Sequence, residues 1–306
     1  MYDTINMYYQ FEDNPIPNTN DVFRHCTNIS CTDKKNSSYM QGDLKNMRVT
    51  FNEGSISIKG SLPKYYFGNN CETLSKSNTK EALENISSDL SIDINKAKVT
   101  RIDFSTNIIT QYKPIIYFDY MGSHSNFTRC PNQSSLYYNQ RSKKLLFYDK
   151  IQEAKNKGMN IPIQYNGQNL FRYELVLKRD VARFLKYNIL LAQDLNTEHL
   201  FNKLVHLWYA YYKSIDKISK TIKIMPENIK TPKDVKDALY RAMIRSNPLV
   251  VSKLLSELKA KKVFEHKEYY SRLKSSIRKI QKEEIVENDL MDELNKKIEG
   301  VYFELM

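Results

Sequence analysis

A change of hydrophobic period near residue 180 constrains the fold of this chain more than any other feature. Before that point short apolar runs recur: "MRVTF", "SISIKGSL", "VTRIDFS", "PIIYFDYM", "SLYYNQ", "KLLFYD" and "LFRYELVLK", separated by Gly, Asn, Ser and Lys turns. Alternation at a period of two, punctuated by turn residues, is the pattern of antiparallel strands with one solvated face. One helix, Thr79 to Leu90, interrupts them. After residue 180 the period becomes helical in "DVARFLKYNILLAQ", in "NTEHLFNKLVHLWYAYYKSI" with Thr197 as its N-cap, in "TPKDVKDALYRAMIRS" and in "LVVSKLLSELKAKK". Val251, Leu254, Leu255 and Leu258 fall on one stripe of the last of these. The expected class is α+β: an antiparallel β-sheet core with flanking helices over residues 1–190, then a mainly helical region over 191–306. Asp234 to Lys262 is long enough for two helices and a turn, a weak helix-turn-helix signal.

Composition bounds the partners. A chain of 306 residues, 41% hydrophobic and with a mean hydropathy of -0.60, reads as a soluble globular protein of two units. No run of about 18 apolar residues predicts a membrane span, and "MYDTINMYYQFED" lacks the charged start and apolar stretch of a secretion signal. Cys26, Cys31, Cys71 and Cys130 form no CxxC pair, which argues against both a disulfide framework and a zinc knuckle. The net charge of +12 favours a polyanion. Its distribution is uneven: Val251 to Lys282 carries ten Lys/Arg against three Glu, and Glu283 to Met306 carries eight Asp/Glu against two Lys. That sequence of charges reads either as two helices paired by charge or as a DNA-facing stripe.

Period-two reading of the strands places the reactive side chains. In "TRIDFS" Arg101, Asp103 and Ser105 share one face, opposite Ile102 and Phe104. In "FRYELVLK" Arg172 and Glu174 share a face, opposite Phe171, Tyr173 and Leu175. In "KKLLFYDK" Lys144, Leu146 and Tyr148 lie together, so Tyr148 can join the polar face. Asp149 then points the other way, which leaves Glu153 as the better acidic candidate beyond the strand. Taken singly, each of these residues has an ordinary structural reading as a solvated ion pair or a packed ring. Their coincidence on strand faces is what raises the chemical reading.

The ordered set "MRVTFN", "SIKGSLPKYYFGNN", "VTRIDFS", "LLFYDKIQE" and "LFRYELVLKRD" resembles the rolling-circle replication initiators of small plasmids and phages. The likeness is strongest to the gene II/gene X replication proteins of filamentous phages and to plasmid initiators with a Tyr-Asn-Lys or Tyr-Asp-Lys motif. It covers roughly residues 1–190. It implies a nicking and joining endonuclease domain over 1–190 and a helical DNA-binding or accessory domain over 191–306. The matched positions are Tyr148 as nucleophile, Lys150 as the motif lysine, and Asp103, Glu153 and Glu174 as acidic metal ligands for Mg²⁺ or Mn²⁺. Many related initiators use a His-hydrophobic-His pair instead. None exists among His25, His124, His199, His206 and His266.

The chemistry also stands on its own terms. A phenol with an ordinary pKa of about 10 needs a cation or base beside it to attack a phosphodiester. Lys150 and a hard divalent ion held by carboxylates answer that need. Arg101, Arg172 and Lys144 are candidates for clamping phosphates, with Arg101 and Arg172 equally suited to orienting the acids. The product is a 5′-phosphotyrosyl link and a free 3′-OH, and rejoining needs no ATP, in keeping with the absence of a GxxxxGK[ST] loop. Tyr137 and Tyr138 are candidates for stacking on single-stranded bases. The resemblance brings origin duplex and single-stranded DNA as partners, together with a host DNA polymerase and helicase. It leaves a homodimer open and places the protein in the cytoplasm of a bacterial host cell. Three other readings remain: a mobilisation relaxase, a non-enzymatic single-strand-binding or replication-regulating protein, and a metal-dependent nuclease that uses water.

Overall fold

The computed structural model describes residues 1–11, 16–34, 37–217, 229–246, 248–282 and 289–306. Among them ten strands form one antiparallel sheet: β1 (Tyr2–Gln10), β2 (Thr27–Lys34), β3 (Ser37–Leu44), β4 (Met47–Asn52), β5 (Ser55–Ser61), β6 (Lys98–Thr110), β7 (Thr128–Asn132), β8 (Ser135–Asn139), β9 (Lys143–Asp149) and β10 (Asn169–Leu177). The strand order is β2-β3-β4-β5-β1-β6-β10-β9-β8-β7. The longest strand, β6, therefore sits in the middle with β1 on one side and β10 on the other. The helices are α1 (Thr19–Val22), α2 (Leu62–Phe67), α3 (Lys76–Leu90), α4 (Pro114–Phe118), α5 (Lys150–Asn156), α6 (Val181–Phe184), α7 (Glu198–Lys213), α8 (Pro232–Ser246), α9 (Pro248–Ala260), α10 (Lys267–Lys282) and α11 (Asp289–Leu305). This is the α+β class that the change of period predicts.

One face of the central strands is an aromatic core. Phe147 of β9 stacks on Tyr173 of β10 with centroids 4.5 Å apart, and Tyr173 stacks in turn on Trp208 of α7 at 4.9 Å. Buried rings of this size supply a large share of core energy, and a buried tyrosine hydroxyl needs a partner. Tyr173 finds one by donating to the Trp208 carbonyl at 2.9 Å. Helix α7 can cover the sheet because Leu200, Leu204, Val205, Trp208 and Tyr212 form a buried stripe along it. Thr197 caps it, accepting from the Leu200 amide.

The chain divides into two compact units: residues 1–217 with 290–306, and residues 218–289. The division does not fall at residue 190. Helix α7 is buried in the sheet's core, and α11 returns to the same unit. Tyr212 donates to Asn295 at 2.7 Å, Tyr209 donates to Glu299 at 2.8 Å, and Tyr117 donates to Glu293. Two acids of the expected acidic segment therefore accept from tyrosines of the sheet unit, while Glu283 to Asn288 lie outside the described residues. In the second unit α8, α9 and α10 gather around Ile244, Val251, Ile277 and Ile280.

Some runs fold otherwise than the period suggests. "PIIYFDYM" starts with helix α4, in which Pro114, Tyr117 and Phe118 are buried and Ile115 and Ile116 face out. That spacing is helical, and Pro114 at the first turn suits a helix start because its missing N–H would have no partner there anyway. "DVARFLKYNILLAQ" holds the four-residue α6 and, from Ala192, the start of a 3₁₀ turn that ends at Asn196. Helix α3 begins at Lys76, ahead of Thr79, because Ser75 and Asn78 form a reciprocal capping box.

Candidate active site

The polar face of the central strands carries the chemistry. Register places Arg172 of β10 opposite Asn107 of β6 and Tyr148 of β9, and Glu174 opposite Ser105 and Leu146. Five residues expected on strand faces, Arg101, Asp103, Tyr148, Arg172 and Glu174, are thereby brought to one side of three adjacent strands.

Arg172 is the centre of this face and only 1% exposed. Its Nε donates to Glu174 Oε1 at 2.6 Å. Its Nη1 donates to the Asn70 carbonyl and Asn107 Oδ1, both at 3.0 Å, and its Nη2 donates to Ser105 Oγ at 2.8 Å and to Asp3. A guanidinium has five N–H groups, and all five are engaged. Arg172 is therefore not free to clamp a phosphate, and its position is that of a buried counter-charge to Glu174 and Asp3.

Tyr148 projects its hydroxyl to 2.7 Å from Glu174 Oε1, the same oxygen that Arg172 holds. Burial, together with the negative charges of Glu174 and Asp3, keeps the phenol well above its ordinary pKa against the pull of Arg172. The hydroxyl is thus protonated at neutral pH and donates to a fixed carboxylate. On its other side the ring lines a cavity of about 260 Å³ with Ser135, Tyr137, Gln152, Glu153 and Lys157. Lys144 lies beside this cavity, its ammonium 5.0 Å from the Tyr137 ring centroid. Tyr138, by contrast, is a core residue, donating to the Gly122 carbonyl at 2.7 Å.

Lys150 does not contact the phenol. Its side chain is fully buried and donates to Asn70 Oδ1 and Glu153 Oε2, each at 2.7 Å. Burial and the nearby Arg172 lower its pKa, while Glu153 works the other way. Glu153 also pairs with Lys157. Asp149, which starts α5, accepts from the Gln152 amide at 2.9 Å. The sharp turn from β9 into α5 is thus tied down by Asp149 on one side and by Lys150 on the other.

The three expected metal ligands do not converge. Glu153 belongs to the lysines of α5, whereas Asp103 and Glu174 belong to the polar sheet face. Among the described residues no three His, Cys, Asp or Glu side chains gather closely enough to hold an ion. The remaining pair still fits a hard cation, because Mg²⁺ is commonly held by one or two carboxylates with waters and substrate phosphates. Asp103 shows the need: burial, Glu174 and Asp3 push its carboxyl up to about 6, although Arg101 holds it at 2.7 Å through both Nε and Nη2. A cation would relieve that like-charge crowding. Arg101 is 36% exposed and can turn away.

Residues 1–201 match the family model for the N-terminal part of the gene II replication-associated protein. The chain belongs to this family. Solved structures to which it is similar include a rolling circle replication initiator protein from Geobacillus stearothermophilus. That protein shares 13% identity, covers 78% of this chain and 94% of its own, and has a TM-score of 0.42. The similarity is too low to carry an argument. No curated protein matches the chain.

This member of the gene II replication family also uses a residue that strand reading missed. Asp3 is 4% exposed, pairs with Arg172 and accepts from Ser61. Burial alone would raise its pKa, but Arg172, Ser61 and Lys150 outweigh burial and hold it below the usual carboxylate range. The alternation of Ile5, Met7 and Tyr9 marks β1 as a strand and could have drawn attention to it. A shift of register between Tyr2 and Ile5 breaks the pattern where Asp3 sits.

Asp103 carries a stability prediction. Its folded pKa of about 6 lies above the unfolded value of about 3.9, so the folded state holds the extra proton between those values. This group therefore lowers stability as pH rises through that window, and the full cost stands above it. In metal-free buffer Asp103→Asn is expected to be more stable than the wild type at pH 7.5 by on the order of 2–3 kcal/mol, with the gain fading toward pH 4. Thermal melts across pH check this, and a pH-independent loss of stability would refute it.

Proposed function

We propose that the protein initiates rolling-circle DNA replication by nicking one strand at an origin through a 5′-phosphotyrosyl intermediate and later rejoining it. The observation that carries this is the hydrogen bond from Tyr148 to Glu174 Oε1 at the edge of an open cavity. A phenol held protonated cannot attack unless its proton leaves as the new bond forms, and Glu174 is placed to take it. In the forward step Tyr148 Oη bonds to phosphorus, the bond from phosphorus to the 3′ oxygen breaks, the phenolic proton passes to Glu174, and the leaving oxygen takes a proton from water. The reverse step returns the proton to Tyr148.

The other residues assist without reacting. Asp3 and Arg172 fix the Glu174 carboxylate, and Lys150 with Asn70 fixes the turn that presents Tyr148. Arg101 and Lys144 supply phosphate contacts at the open side of the site. Asp103 and Glu174 would hold Mg²⁺ or Mn²⁺, and that ion would withdraw charge from the scissile phosphate. The freed 3′-OH would prime a host DNA polymerase in the bacterial cytoplasm, while a host helicase would open the duplex ahead of it. Membership of a replication-associated family favours initiation over mobilisation.

Glu174→Gln, assayed at metal concentrations high enough to saturate its nicking rate, tests the assignment, since the amide keeps an acceptor oxygen for Tyr148 and Arg172 but cannot take the proton. Single-turnover nicking of origin DNA is expected to slow by about 10²- to 10⁴-fold with DNA affinity unchanged. Nicking at the wild-type rate would remove Glu174 from proton transfer.

A further inference from the structure

The basic charge of the chain is concentrated in its smaller unit. Residues 229–282 carry fifteen Lys/Arg against five Asp/Glu. Helix α10 organises part of that charge. It buries Ile277 and Ile280 against Ile244 of α8 and Val251 of α9, with Leu273 and Leu255 partly buried beside them. Away from that seam Lys267, Ser271, Lys274, Ser275 and Arg278 are all exposed. Their spacing of i, i+4, i+7, i+8 and i+11 puts them on one stripe about 17 Å long. No acidic residue interrupts the stripe; Glu268 lies about 100° round the helix from Lys267. The side chains of Lys267, Lys274 and Arg278 form no ion pair or hydrogen bond with any described residue.

We infer that this face of α10 binds duplex DNA along its phosphate backbone, independently of the Tyr148 site. Three cations on one stripe, none paired among the described residues, suit a polyanion with regularly spaced charges. The two serines between them are small enough for the helix to approach closely, and the major groove, about 12 Å wide, admits a helix. Duplex is favoured over single strands because the stripe carries no aromatic side chain on which a base could stack. Tyr270, on the buried side, donates instead to the Leu258 carbonyl at 3.0 Å. Contacts of this kind position a protein on DNA and carry little sequence information, so the unit would hold duplex DNA whatever its sequence.

The test uses the full chain in EDTA with a 20-base-pair duplex lacking the origin and, in parallel, one of its single strands, so no cutting enters the readout and the Tyr148 mechanism is not at stake. Fluorescence anisotropy from 50 to 200 mM salt compares K267Q/K274Q/R278Q with K236Q/K253Q/K259Q, which removes equal charge from α8 and α9. The α10 variant is expected to bind about tenfold or more weakly at 150 mM salt and to lose about 2.7 from the log–log salt slope, at about 0.9 per phosphate contact. The control is expected to lose less than about 1. Ser271→Glu with Ser275→Glu, which adds repulsion without removing a cation, should weaken binding similarly while the circular dichroism spectrum stays unchanged. Equal losses in both triple variants would show diffuse attraction only and overturn the inference. Unchanged duplex affinity, or a loss confined to single-stranded DNA, would overturn it too.

Discussion

A Tyr148→Phe protein is expected to bind its replicon DNA as the wild type does and to leave it unnicked. The change removes one hydroxyl and one hydrogen bond, the 2.7 Å contact with Glu174 Oε1. Loss of a single hydrogen bond of this kind costs about 0.5–3 kcal/mol of stability, too little to unfold a domain with an extended aromatic core. Activity should respond quite differently. Without the phenol oxygen there is no nucleophile at the end of the Glu174 contact, and the proton acceptor has nothing to accept from. Conversion of supercoiled to relaxed DNA should therefore fall by at least about 10³-fold, as when an attacking group is removed outright. Nicking within tenfold of wild type would transfer the reaction to water or to a neighbour such as Tyr137, which lines the same cavity.

The largest stability effect is expected at Arg172. Replacing it with methionine leaves Asp3 and Glu174 buried without their counter-charge, and Ser105, Asn107 and the Asn70 carbonyl without their donor. Breaking a buried pair by removing one member costs about 3–5 kcal/mol, mostly because the remaining charge is stranded. Arg172→Lys should recover only part of that, since an ammonium has three donors and cannot reproduce the planar fork. The double change Asp3→Asn with Arg172→Met removes a charge of each sign, so it should cost less than the sum of the two single changes. Urea unfolding of the wild type, Arg172→Met, Arg172→Lys, Asp3→Asn and the double variant measures this. Additive losses, or a loss under about 1 kcal/mol for Arg172→Met, would mean that the network is not held together by charge.

Much of the active face could be read from strand periodicity, because a period of two fixes which side chains share a side. Arg101 with Asp103, and Arg172 with Glu174, follow directly from it, and each pair is hydrogen-bonded in the structure. Periodicity does not say which strands are neighbours. The pairing of β10 with both β6 and β9 brings Tyr148 to Glu174, and that pairing joins segments separated by dozens of residues. Burial decides between the roles that strand reading leaves open: Arg172, suited either to a phosphate or to orienting the acids, is held by Asp3 and Glu174, and Lys150, expected beside the phenol, is buried against Asn70 and Glu153. A break in strand register hides Asp3, and the helical spacing of Met291, Leu294 and Ile298, which α11 buries in the core of the sheet unit, does not say which unit that stripe packs against.

The central claim is covalent, so the most direct measurement is a covalent one. The purified protein is incubated with supercoiled DNA of its own replicon and Mg²⁺ or Mn²⁺, digested with nuclease and protease, and searched by mass spectrometry for a peptide bearing a nucleotide. The account predicts an adduct on the peptide containing Tyr148, blocked by EDTA and absent from Tyr148→Phe. Efficient nicking with no adduct, or an adduct on another tyrosine, would contradict it.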